Sequence, residues 1–211
     1  MSTSTASRTL VMHGLRLKGF AEAAAVAEAV GVTEADAKPV LDQLVVDGAA
    51  THRDGRISGF TLTAAGRTQH AELLAAELDE LGIRPAVHAA YRRFLGLNTE
   101  LLTVCTDWQL RDVEGESVVN DHTDASHDAA VIARLAGLHA AVEPIVADLA
   151  AILDRYAGYG PRLSFALEQV VAGDHDWFTK PMLPSYHTVW FELHEDLLST
   201  LGIERGSEGE G

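Results

Sequence analysis

Two histidines seven residues apart, His187 and His194, stand in the run SYHTVWFELHEDLL at 185–198, with aromatics between them and carboxylates beside them. Histidine titrates nearest neutrality and is the commonest metal ligand, so its spacing carries chemical meaning. At 100° per residue His187, Trp190, Phe191, His194, Leu197 and Leu198 share one helix face, while Glu192, Asp196 and, at the edge, Glu195 lie on the other side. Both histidines therefore point inward. Two turns of rise, about 10.5 Å, separate them. A metal–nitrogen bond is about 2 Å, so one ion does not bridge the pair. The readings left are core histidines bonded to buried partners and residues lining a ligand site.

Two further runs concentrate the same chemistry. NDHTDASHD at 120–128 offers Asn120, Asp121, His122, Asp124, His127 and Asp128. It sits where a loop enters a helix, so Thr123 or Asp124 could equally cap that helix, with the acids complementing its dipole. GDHDWF at 173–178 adds Asp174, His175, Asp176 and Trp177, or is a turn between helices. In CTDWQLRD, Asp107 and Gln109 flank Trp108, an amphipathic ring suited to a pocket wall or to a core with its N–H bonded. The expected ligand pocket is Asp107, Trp108, His122, Asp124, His175, His187, Trp190 and His194. No Gly-rich phosphate loop, CxxC pair or GxSxG elbow occurs. No nucleophile stands with its base, so no catalytic residue, metal site or cofactor is assigned; the balance is against an enzyme, and one using the His/Asp runs stays open as a third reading. An enzyme would need two of the His/Asp runs within hydrogen-bond reach of each other.

Composition bounds the setting for these residues. The chain has 211 residues, 47% of them hydrophobic, with a formal net charge of −15. Through Ile83 there are 7 Lys+Arg against 11 Asp+Glu; beyond it, 9 against 20, so the acidity is concentrated in the second part. Such a field opposes DNA and anionic lipid unless positive charge gathers on one face. No apolar run approaches the roughly 18 residues of a membrane span. The first basic residue is Arg8 with no continuous apolar segment after it, unlike a signal peptide. A single cysteine, Cys105, excludes an internal disulfide and fits a reducing compartment. The expected setting is the cytoplasm, with no membrane partner.

The elements that must position these residues are mainly α. A short amphipathic helix ends at Gly19, and an alanine-rich helix over 21–32 stops at Gly31. Thr33 caps a helix with Asp36 three residues on, and Gly48 ends it. Asp54-Gly55 turns a hairpin between AATHR and RISGFTLT. Thr63 caps a long helix ending near Gly82. From Arg84 the chain reads as helices with short connections, an antiparallel bundle. The first of these runs through CTDWQLRD with a soft point at Gly96. A loop, VEGESVVNDH, follows. Pro144 kinks or divides the next helix, and Pro161 opens another. The expected division is 8–82 and 84–203, with an unstructured tail at 204–211.

Helix, Gly-ended recognition-like helix, Asp-Gly-turned wing and LTxxGR opening the next helix resemble MarR-type winged-helix regulators over roughly residues 8–82. RLKGF, CTDWQLRD, NDHTD and SYHTVWFELHEDL are similar to the C-terminal region of actinobacterial pyruvate phosphate dikinase-like proteins, over nearly the whole chain. That resemblance does not bring the dikinase reaction, whose catalytic parts lie outside the matching region. The resemblance implies an N-terminal winged helix-turn-helix, a helical domain for dimerisation and small-molecule sensing, and a homodimeric transcriptional regulator. The DNA-contacting residues would be Arg16, Lys18, Lys38, His52, Arg53, Arg56 and Arg67. The alternative is a module that kept the shape but not DNA, and serves a phosphoenolpyruvate-utilising enzyme. The first turns of the recognition-like helix read TEADAK, and Glu34 and Asp36 would meet phosphate with like charge.

Overall fold

The computed structural model describes residues 3–113 and 115–204, with side chains from residue 8 onward. The expected unstructured tail lies outside the described residues from 205 on. The chain is mainly helical, with two antiparallel hairpins among the described residues. Two compact units divide it. Among the described residues, the first runs to Arg84 and resumes at Glu195, and the second is Pro85–His194.

In the first unit, helix α1 (Thr3–Lys18) precedes α2 (Ala23–Val30) and α3 (Glu34–Val46). Gly31 ends α2 in the left-handed conformation (φ 68°) that a Cβ disfavours. The Thr33 side chain accepts from the Asp36 N–H and caps α3. Strands β1 (Ala50–Arg53) and β2 (Gly59–Leu62) pair in register Ala50 with Leu62 and Arg53 with Gly59. The turn between them is therefore residues 54–58, longer than the two-residue turn read from Asp54-Gly55. Ala21 bridges Phe60, exchanging backbone bonds of 3.1 and 2.8 Å, so the α1–α2 connection adds a short third rung to the hairpin. Helix α4 (Ala64–Glu80) follows, its first turn capped by Thr63.

The core under these elements holds Met12, Leu15, Val26, Leu41, Leu44 and Phe60, each almost fully removed from water. Each such side chain contributes about 1.5–3 kcal/mol of transfer free energy. Two glycines set the closest approaches. A Cβ on Gly14 would lie 2.9 Å from the Val26 carbonyl oxygen, and one on Gly66 would collide with that of Ala49. The start of α4 thus lies directly against the backbone entering β1.

In the second unit, α5 (Arg84–Gln109) runs unbroken through Gly96. It ends in a hairpin, β3 (Leu110–Val113) with β4 (Glu116–Val119), where the sequence suggested more helix and then a loop. The four pairs leave most of both strands exposed, so no alternating buried face marked them in the sequence. Helix α6 (Ala125–Ile152) continues through Pro144, which was expected to kink or divide it. Then come a 3-10 turn (Asp154–Tyr156), α7 (Tyr159–Val171), the short α8 (Asp176–Thr179) and α9 (Tyr186–Leu201). Together they make a helical bundle.

Helix α6 departs from the expectation that no segment would match a membrane span. It has 28 residues and an 18-residue window of mean hydropathy 1.5, enough to cross a bilayer by length and composition. Nine Val, Ile and Leu residues, interspersed with alanines, carry most of that apolarity. Its buried residues, Asp128, Val131, Leu135, Leu138, Val142, Ile145, Val146 and Leu149, recur at intervals of three or four, with Val146 beside Ile145. That is the spacing of one packed face.

Helix α9 passes from the second unit into the first at His194 and Glu195. The sequence placed all of it in the bundle. Its C-terminal half instead joins α1, through Asp196 beside His13 at 3.0 Å and Arg16 beside Glu195 at 3.6 Å.

Candidate functional site

The expected pocket residues that converge lie in the second unit. The β4 end leads into Asn120, which is buried, and then into His122, whose backbone is left-handed at φ 57°. That conformation is rare outside glycine but tolerated by His when local bonds hold it. Here the Asn120 Oδ1 accepts from the His122 N–H at 3.1 Å. Asp124 then caps α6, accepting from the Ser126 and His127 N–H groups. Those donors, His127 first, hold the Asp124 carboxyl below the usual carboxylate range. One turn into α6 stands Asp128, on the same buried stripe as Val131 and Leu135.

Asp128 is 6% exposed. Its Oδ1 accepts from Asn120 Nδ2 at 2.8 Å, and its Oδ2 lies 3.0 Å from His122 Nδ1. From the loop before α8, His175 comes close enough that ligand atoms of His122, Asp128 and His175 all lie within 4.8 Å of one another. Trp108, near the end of α5, forms the wall. Its ring stacks on Phe178 at 4.4 Å, meets His175 edge-on at 5.0 Å and lies 4.5 Å from His122. The carboxylate and indole are buried while both imidazoles are exposed. The result is a polar floor opening to solvent.

Proton counting fixes the order of bonds. The Asn120 amide nitrogen has two hydrogens and three neighbours: Trp108 O at 3.1 Å, Asp128 Oδ1 at 2.8 Å and His122 Nδ1 at 3.3 Å. The two oxygens are nearer, so they take the hydrogens. His122 Nδ1–H then donates to Asp128 Oδ2. An imidazole backed by a buried carboxylate is a polarised base, and with a second imidazole beside it the set offers two nitrogens and one oxygen to a cation.

The expected pocket residues divide. Trp108, His122 and His175 come together at this cluster. Asp124 serves as the helix cap at its edge. Asp107 ion-pairs with Arg134 at 2.5 Å, and its backbone oxygen takes the His127 ring contact at 2.8 Å. His187, Trp190 and His194 lie on α9, outside this cluster. Trp190 donates to Asn98 Oδ1 at 3.0 Å and packs on Phe94. His194 lies against Tyr91 and Phe94. Half-buried His187 is held below the ordinary histidine range by desolvation. Cys105 is buried, and burial pushes its thiol up to about 12, which leaves it a small apolar side chain.

Asp128 and Asn120 complete the cluster, although the sequence-based pocket omitted both. Their signal was available: Asp128 falls on the i, i+3, i+7 stripe with Val131 and Leu135, so a carboxylate there must be buried and partnered.

A second buried cluster, in the first unit, escaped the sequence altogether. His13 Nδ1 lies 3.1 Å from His70 Nε2, and His13 Nε2 lies 3.0 Å from Asp196 Oδ1. Thr200 Oγ1 donates to the same Oδ1 at 3.1 Å. All four are at most 3% exposed. Asp196 had been placed on the polar side of α9; it is buried instead, while Phe191, placed on the apolar side, is exposed. The partner for Asp196 comes from α1, far away in sequence, so no pattern within α9 announces it.

The cations expected to face DNA are mostly engaged. Lys38 pairs with Asp42 at 2.6 Å, Arg16 with Glu195, and Arg67 donates to the Leu62 carbonyl at 2.9 Å. Lys18 is half-buried in the last turn of α1. On the hairpin, His52 sits 3.4 Å from Asp54, Arg53 lies over the Phe20 ring at 5.8 Å, and Arg56 is exposed near the tip. The exposed side of α3 and its C-terminus present Glu34, Asp36, Asp42 and Asp47.

No family model, curated protein or solved structure matches the chain.

Proposed function

We propose that the chain is a cytoplasmic winged-helix regulator of MarR-like layout, acting as a homodimer, with DNA contacted by the β1–β2 hairpin and a small effector sensed in the helical unit. The observation that carries this reading is the Ala21–Phe60 bridge. It fastens the hairpin to the α1–α2 connection, so a rigid wing follows the α2–α3 pair, and Arg53 and Arg56 stand at the end of that wing. Two-fold pairing of such wings would address a duplex at two half-sites.

The test is binding to duplex DNA from upstream of the protein's own gene at 50 and 200 mM salt. Two arginines from each of two protomers neutralise about four phosphates, so affinity should fall about a hundredfold across that range. Arg53→Ala/Arg56→Ala should abolish binding. No binding at either salt would overturn the DNA reading.

A second reading rests on the exposed acidic residues of α3. With Lys38 paired to Asp42, that face repels phosphate and suits a basic protein surface. Under this reading the chain is an interaction module, consistent with its resemblance to a region carried by a phosphoenolpyruvate-utilising enzyme. It predicts no DNA affinity and a salt-sensitive protein complex weakened by Glu34→Lys/Asp36→Lys.

A further inference from the structure

We infer that His122, Asp128 and His175 form a binding site for a divalent first-row transition metal ion of the zinc or cobalt kind. The inference does not need the regulatory reading, because metal uptake is measured without DNA.

The spacing fits. Ligand atoms bound at about 2.0–2.2 Å in a tetrahedral or octahedral shell lie about 2.8–3.6 Å from each other. His122 Nδ1 and Asp128 Oδ2 are already 3.0 Å apart. The third ligand atom, on His175, lies within 4.8 Å of both. Its side chain is exposed at the start of α8 and closes that gap by rotation. Two imidazoles and one carboxylate on a single side of the ion leave its remaining positions to water or a ligand.

The surroundings are those of a built site. Asp128 is buried, and a buried carboxylate is costly unless a positive or donating partner faces it. Asn120 holds Oδ1 and turns Oδ2 toward the imidazoles, the usual task of a residue behind a metal ligand. Trp108 and Phe178 close the side away from solvent. The His122 ring is held beside Asp128 by the 3.0 Å Nδ1–Oδ2 contact, on a left-handed backbone that the bond to Asn120 Oδ1 supports. The donor set is two nitrogens and one oxygen without a thiolate. It matches borderline cations better than calcium or magnesium, which take mostly oxygen ligands.

Binding requires a tautomer change with no net loss of charge. The proton on His122 Nδ1 moves through solvent to Nε2 of the same exposed ring. The freed Nδ1 lone pair then goes to the metal, and Asp128 Oδ2 exchanges its hydrogen bond for a metal bond.

The test titrates chelator-treated full chain with zinc chloride by calorimetry and with cobalt chloride by visible absorption. One equivalent should bind, and cobalt should quench Trp108. His175→Ala alters an exposed side chain and should keep the helical circular dichroism while weakening zinc at least a hundredfold. Asn120→Ala should weaken it about 10–100-fold. His88→Ala, on α5 twenty residues before Trp108, should leave zinc affinity unchanged. No uptake by the wild type, or equal affinity in wild type and His175→Ala, would overturn the assignment. Since no nucleic acid is present, loss of metal binding and loss of DNA binding are read separately.

Discussion

Replacing Asp196 by alanine tests whether the buried His70–His13–Asp196 row holds the first unit together. Asp196 is 1% exposed and His13 is 1% exposed, so water cannot replace the lost carboxylate. Asp196→Ala removes the acceptor of Thr200 Oγ1 at 3.1 Å and the carboxylate beside His13 Nε2 at 3.0 Å. A buried polar group that loses a partner costs about 1–3 kcal/mol, and His13 and Thr200 each lose one. The loss is about 4 kcal/mol. Tryptophan fluorescence would miss it, because Trp108, Trp177 and Trp190 all lie in the second unit. The suitable assay is amide hydrogen exchange of α1, where about 4 kcal/mol appears as roughly a thousandfold faster exchange through opening of the unit. Glu195→Ala is the control. It removes a 3.6 Å contact to Arg16, whose side chain is 40% exposed, and should change exchange less than about fivefold. The doubly apolar His13→Leu/Asp196→Leu should recover much of the loss, since neither half of that contact remains buried alone. A change below about fivefold in Asp196→Ala would refute the reasoning.

Two other outcomes follow from burial. The Cys105 thiol, pushed up to about 12, is thiolate in only about one molecule in ten thousand at pH 8. It should resist a disulfide reagent in the native chain and react stoichiometrically in denaturant; rapid native labelling would contradict its burial. His139 and His187 are both held below the ordinary value of 6.5, chiefly by desolvation. The unfolded chain therefore takes up protons first, and this stability is fully present above about pH 6.5 and lost as pH falls from there toward the folded values. The urea midpoint of the second unit, followed by tryptophan fluorescence, should drop between pH 7 and 5.5, and less so in His139→Gln/His187→Gln; equal drops would remove these residues as the cause.

What the sequence determined by itself was local. Gly31 and the Thr33 and Thr63 caps placed the boundaries of α2, α3 and α4, because caps act within a few residues of the backbone they satisfy. The hairpin at β1 and β2 was visible in the Asp54-Gly55 signal, though its turn is longer. The hairpin at β3 and β4 was not, since exposed strands carry no period-two apolar pattern. Pro144 misled because one missing hydrogen bond can be absorbed in a helix whose buried stripe continues on both sides.

The sites needed tertiary structure. NDHTDASHD and GDHDWF could each be a cap or a turn on sequence grounds, and one residue of the first, Asp124, is a cap. Only the fold brings His175 to His122 and Asp128, across some fifty residues of intervening chain. The stretch 185–198 shows the same limit. Its periodicity placed His194 and Trp190 inside, as they are, but gave Asp196 to solvent. A helical period reports one packed face and one wet one. When a second surface, here the His13 side of α1, meets the wet face, the polar residue found there is decided by its partner and not by its own neighbours.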